Sequence, residues 1–202
     1  MTDARVEILE KTVGYQGFFR LERYRLRHQL FSGEWSRELV REVFERGHAA
    51  AVLPYDPVRD QVVFIEQFRI GALEAPGGPW LLEIVAGVID AAETPEEVIR
   101  REAIEESGCT IQEVVPICEY LVSPGGTSER LTVFCGKVDA SRAGGTHGLA
   151  DEGEDTRVVV LGFAEAVAYL QAGKIKAAAP IIALQWLMLN REQLRRHWGA
   201  GR

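Results

Sequence analysis

The chain has 202 residues, 47% hydrophobic and 26% charged, with a formal net charge of −7. That composition belongs to a soluble globular protein with one well-filled domain, or a domain carrying a small appendage. The acidic balance argues against non-specific binding to nucleic acid or to an anionic membrane surface. No stretch is long and apolar enough to span a bilayer, and the first residues carry no signal-peptide core, so a cytoplasmic protein is expected. A small phosphate-bearing ligand stays open, because a bound cation can reverse the local field. Cys109, Cys118 and Cys135 lie in apolar runs without CxxC spacing and read as reduced core residues.

Three strand-like stretches open the chain: VEILEKTVGY, FFRLERYRLRHQL and SRELVREVFER, separated by Gly17 and the turn signal FSGE. Residues 1–46 therefore read as a small antiparallel sheet, so highly charged that one face is expected to meet water or a partner. HAAAVLPYD and QVVFIEQFR flank the turn DPVRD as a hairpin, and WLLEIVAGVID follows the loop EAPGGP as one buried strand. TPEEVIRREAIEESG is a helix with marked ends: Thr94 caps it, Pro95 suits its first position, Glu97 completes a capping box and Gly108 stops it. VVPICEYLVSP and LTVFCGKVDA read as strands around GGTSER. RAGGTHGLADEGEDT reads as a long loop, RVVVLG as a strand, and FAEAVAYLQAGK and APIIALQWLMLNREQLRRHW as helices. Strands mixed with helices indicate an α/β or α+β layered domain over residues 47–202.

The capped helix carries the chemistry. At 100° per residue, Glu102, Glu105 and Glu106 fall within an arc of about 100° that also contains Val98 and Ile99. The glutamates thus extend the stripe facing the core, where a solvated charged face would lie opposite it. Two carboxylates about 4 Å apart repel by roughly 4 kcal/mol at an effective dielectric of 20. Protonation, arginine neighbours or a metal must relieve that. Arg101 flanks the cluster, and hard oxygen ligands select Mg2+ or Mn2+ over zinc.

In order, GVIDAAETPEEVIRREAIEESGC resembles the Nudix box, GX5EX7REUXEEXGU, with U a bulky aliphatic residue. Gly87, Glu93, Arg101, Glu102, Glu105, Glu106 and Gly108 fall in register, while Ala103 and Cys109 stand where larger aliphatics are expected. The resemblance runs over nearly the whole chain. Within the family it is closest to the bacterial ADP-ribose pyrophosphatases, through GFFRLERYRLRH, LPYDPVRDQVVFIEQFRI, SPGGTSER with Pro124, and HGLADEGEDTRV. It implies a Nudix-type α/β/α sandwich with a mixed sheet, and an N-terminal sheet that serves a homodimer by exchange between subunits.

The implied reaction is metal-dependent hydrolysis of ADP-ribose to AMP and ribose 5-phosphate. By resemblance, Glu102 and Glu106 are the principal metal ligands, Glu105 shares metals or orients water, the Ala86 carbonyl adds a ligand, and Arg101 orients the glutamates. Glu152 would be the general base and Glu154 a further metal contact. Phe18 would stack on adenine, Arg41 and Arg69 would lie near adenine and pyrophosphate, Ser123 and Glu129 would reach the terminal ribose, and Arg41 and Glu42 would serve the partner's site. Another nucleotide sugar such as GDP-mannose is the alternative substrate. A catalytically silent nucleotide-sugar sensor is disfavoured, since such domains lose box glutamates and none is missing here.

Overall fold

The computed structural model describes residues 5–149 and 153–199. They cluster into two units: residues up to His48 with Tyr120–Leu131, and Ala49–Glu119 with the residues from Thr132 onward.

The first unit is built on three antiparallel strands in the order β1 (Val6–Gln16), β2 (Arg20–His28), β3 (Leu39–Glu45). Its centre is ionic. Glu22, only 2% exposed, takes Lys11 Nζ at 2.9 Å, Arg20 at 2.8 Å and the Tyr24 hydroxyl at 2.6 Å. A buried carboxylate holds such a place only when paired and hydrogen-bonded. Val6, Ile8, Val13 and Tyr15 of β1 are exposed. The segment Tyr120–Leu131 hooks onto β3, with the Phe44 N–H donating to the Gly126 carbonyl at 2.8 Å.

The second unit follows the hydrophobic pattern more directly. β4 (Ala49–Asp56) is buried at every position and pairs with β5 (Gln61–Phe68) across the turn that holds Asp60. Successive side chains of a strand point to opposite faces, so an unbroken buried run means a sheet covered on both sides. Ala50 and Val52 join the core beneath α1 (Pro95–Ser107), together with Val98, Ile99 and Ala103 of that helix. On the alternate face Tyr55 meets Trp198, at the end of the closing helix, with ring centroids 6.4 Å apart. The layers are therefore helix, sheet, helix.

WLLEIVAGVID departs from the single strand expected of it. It divides into β6 (Trp80–Glu83), paired with β5, and β7 (Val85–Val88), paired with β4, and buried Ile84 marks the change of partner. Then come β8 (Glu113–Leu121) and β9 (Arg130–Lys137), whose facing ends carry the chain into the first unit and back. The long loop holds a short strand, β10 (Thr146–His147), against β11 (Thr156–Gly162). The helices α2 (Phe163–Gln171) and α3 (Ala178–His197) complete the chain. The large sheet runs β10-β11-β5-β4-β9-β8.

Candidate active site

Local chemistry fixes α1 at both ends. The Thr94 hydroxyl accepts the Glu97 N–H at 3.3 Å, and the Glu97 carboxylate accepts the Thr94 N–H at 2.7 Å. Gly108 turns left-handed at φ 66°, its N–H bonded to Ile104 O at 3.0 Å, while the Cys109 N–H reaches Ala103 O at 3.0 Å. Only glycine takes that corner without strain. With the ends pinned and Val98, Ile99 and Ala103 in the core, the rotation of the helix is set.

That rotation brings Glu102 and Glu106 against β7 and leaves Glu105 beside Arg101. Glu106 is 2% exposed, and its Oε2 accepts the Ala86 N–H at 3.0 Å. Glu102 lies over Gly87 so closely that a Cβ there would fall 2.0 Å from Glu102 Oε1. Arg101 gathers the remaining carboxylates. Its Nη1 donates to Glu102 Oε1 at 2.7 Å and to Glu105 Oε2 at 3.0 Å, and its Nε and Nη2 reach Glu93 at 3.0 and 3.2 Å. A planar guanidinium with five donors suits three acceptors that a lysine could not serve together.

The charges respond to this crowding. Burial pushes the Glu106 carboxyl up to about 8; the Ala86 N–H and Arg69 oppose the rise, and Glu102 and Glu154 add to it. Glu102 is also raised, first by burial and then by Glu105 and Glu154 against the pull of Arg101. Glu93 is lowered by its Arg101 hydrogen bond. A buried carboxylate and a half-buried one raised together, beside further carboxylates, form a site that a cation would relax.

Among the described residues, no group of three or more His, Cys, Asp or Glu side chains is arranged to hold a metal ion. The contacts above account for this: Arg101 draws Glu102 and Glu105 sideways, and Glu106 turns to the β7 backbone. The donor set itself is all hard oxygen, and Gly87 leaves it uncovered. Those features fit a divalent cation of the magnesium type.

The other residues singled out in the sequence fall into both units. In the second unit, Arg69 Nε pairs with Glu83 Oε2 at 2.8 Å and is close enough to lower the Glu106 pKa, so it belongs beside the cluster. Glu154 also acts on Glu102 and Glu106, and its carboxylate accepts the Leu149 N–H at 3.3 Å. Glu152 lies outside the described residues. In the first unit, Phe18 is 96% exposed and meets Phe19 edge-on at 4.8 Å. Arg46 lies over the Phe19 ring and pairs with buried Glu129 at 3.6 Å. Arg41 and Glu42 are exposed, the Arg41 guanidinium donating to the Val40 carbonyl at 2.7 Å. The exposed Ser123 accepts the Gly126 and Thr127 N–H groups through its carbonyl, both at 2.9 Å. Sequence reasoning missed Arg46 and Glu83, because an isolated charge gives no sign of its partner until strands are paired.

Sandwich, box helix and carboxylate cluster together define a class, and comparison with known proteins agrees: the NUDIX domain family matches residues 45–185, and the chain is a hydrolase of that family. A relative in Escherichia coli (strain K12), named ADP-ribose pyrophosphatase, is 53% identical over 193 residues, 96% of this chain and 92% of that one. A GDP-mannose pyrophosphatase of Pectobacterium atrosepticum is 36% identical over 186 residues, covering 92% of this chain and 95% of the other. A crystal structure described as an ADP compounds hydrolase superposes with a TM-score of 0.72 at 20% identity, over 96% of this chain and 99% of that one, and so shares the fold. Among the described residues, no helix is long and apolar enough to cross a membrane.

Proposed function

We propose that this chain hydrolyses ADP-ribose to AMP and ribose 5-phosphate. The observation that carries the reading is the carboxylate cluster of α1 pressed against β7, with every box glutamate in place. The 53% identity to an ADP-ribose pyrophosphatase, against 36% to a GDP-mannose pyrophosphatase, favours ADP-ribose over the other nucleotide sugar.

Glu102, Glu105, Glu106 and Glu154, with the Ala86 carbonyl, would hold Mg2+ or Mn2+. Such a cation neutralises charge on a pyrophosphate and lowers the pKa of a water beside it. Arg101 orients the glutamates, its one Nη1 bridging Glu102 and Glu105. Arg69 offers a positive charge to the pyrophosphate. Glu152 takes the proton of the attacking water, and Glu154 stays close to Glu102 and Glu106. Phe18, an aromatic ring open to solvent, supplies a stacking surface for adenine. Arg41, Glu42, Ser123 and Glu129 complete the nucleotide and ribose contacts. The charged sheet of β1–β3, with exposed apolar side chains on β1, serves a homodimer by exchange between subunits, and Arg41 and Glu42 then act in the partner's site.

The test is product analysis with purified protein, ADP-ribose and GDP-mannose, with Mg2+, Mn2+ or a chelator. AMP and ribose 5-phosphate formed only with a divalent ion, and a kcat/KM at least about tenfold higher for ADP-ribose, are expected. Preference for GDP-mannose by that margin overturns the substrate assignment.

A further inference from the structure

His147 forms no spaced ligand pair with another histidine, yet it occupies a critical joint. In β10 it pairs with Thr156 of β11, and its Nε2–H donates to the Gly144 carbonyl at 2.9 Å, which fixes the ring. The ring lies over the end of α1: a Cβ on Gly108 would stand 2.8 Å from His147 Cε1. Gly108 is thus glycine for two reasons, its left-handed φ and the imidazole above it. The next residue faces two ways. The Gly148 N–H donates to the carbonyl of Glu105, in the cluster itself, at 3.1 Å. On its other side, a Cβ at Gly148 would fall 2.8 Å from Glu154 Cβ and 3.0 Å from Glu154 O. The Glu154 N–H returns to Leu149 O at 3.2 Å, and its carboxylate takes the Leu149 N–H.

We propose that the His147–Gly148 pair is a spacer that sets Glu154 at a fixed separation from the α1 glutamates, with His147 acting as a positioning residue. The inference rests on reading the cluster as the hydrolytic site. The ring presses on α1, the Gly148 N–H locks the strap to Glu105, and the bare Cα of Gly148 lets Glu154 close on the other side. Removing the ring takes away the packing on Gly108, so that the Gly148–Glu105 hydrogen bond alone is left, of the contacts above, to tie residues 146–149 to α1, while the pairing with β11 persists.

The experiment measures amide exchange and steady-state kinetics on the full chain, comparing wild type, His147→Ala and His147→Gln. Exchange is read without metal, so it does not depend on turnover. In His147→Ala the Gly148 amide should exchange at least about tenfold faster, while β4 amides stay unchanged. With Mg2+, kcat should fall about tenfold with KM for ADP-ribose within about twofold. His147→Gln, which keeps a donor for the Gly144 carbonyl, should recover part of both. Unchanged Gly148 exchange in His147→Ala overturns the spacer, as does faster exchange with kcat unaltered. If wild type hydrolyses no nucleotide sugar, the catalytic reading fails, and the exchange comparison alone decides whether His147 holds the strap.

Discussion

Glu106→Gln separates what the buried carboxylate does to the fold from what it does for the reaction. In the metal-free protein the Glu106 carboxyl titrates near 8, against 4.5 for an ordinary glutamate, chiefly because it is buried. Between those values the unfolded chain has released the proton and the folded protein retains it. The folded state therefore binds more protons, and stability falls as pH rises through the window. At about 1.4 kcal/mol per unit, the stretch up to pH 7 removes about 3 kcal/mol from wild type. Glutamine does not titrate, its oxygen can still accept the Ala86 N–H, and its amide can donate to neighbouring carboxylates. Urea unfolding in chelator at pH 5, 6 and 7 should show the variant gaining on wild type at each step, reaching about 3 kcal/mol, while its hydrolysis is largely lost. A stability difference that does not grow with pH would refute the burial argument, and hydrolysis at the wild-type rate would remove Glu106 from the site.

Gly87→Ala should push the Glu102 carboxylate off its seat and lower kcat at least about tenfold, with a melting temperature within about 3 °C of wild type; an active variant would show that Glu102 can work from elsewhere. Asp60→Ala should cost about 2–4 kcal/mol in urea unfolding, since its carboxylate bonds Tyr55 at 2.7 Å and Arg191 Nε at 2.7 Å. Burial works against the Asp60 charge, but the Arg191 and Tyr55 hydrogen bonds prevail and depress its pKa. That contribution is thus present above the unfolded value of 3.8 and lost as pH falls through the lower folded one, so wild type and variant should converge in acid. Phe18→Ala should raise KM for ADP-ribose about five- to 150-fold, matching about 1–3 kcal/mol of stacking; an unchanged KM would place adenine elsewhere.

The parts of the fold written in short-range chemistry were legible. Thr94, Pro95, Glu97 and Gly108 mark α1 at both ends, and the shared stripe of Val98, Ile99 and the three glutamates places the cluster against the sheet. What depends on pairing was not. WLLEIVAGVID is uniformly apolar, and nothing in such a run says that its first half joins β5 and its second half β4. Phe18 beside Phe19 reads by composition as core, yet one ring packs on Phe44 and the other stands in solvent. Glu129 can also be read from sequence as a surface charge, whereas the structure buries it beside Arg46. His147 lies in HGLADEGEDTRV but drew no role of its own, because its neighbour Gly108 lies across a loop and not along a helix.

One face of α1 serves two masters. Val98, Ile99 and Ala103 fill the interior while Glu102 and Glu106, a few ångströms along the same stripe, touch Gly87 and Ala86. Interior packing and reactivity can therefore not drift separately in this protein. Enlarging Ala103 would roll the helix on its axis and swing both carboxylates away from the strand, so mutations that look purely architectural will surface first as lost turnover.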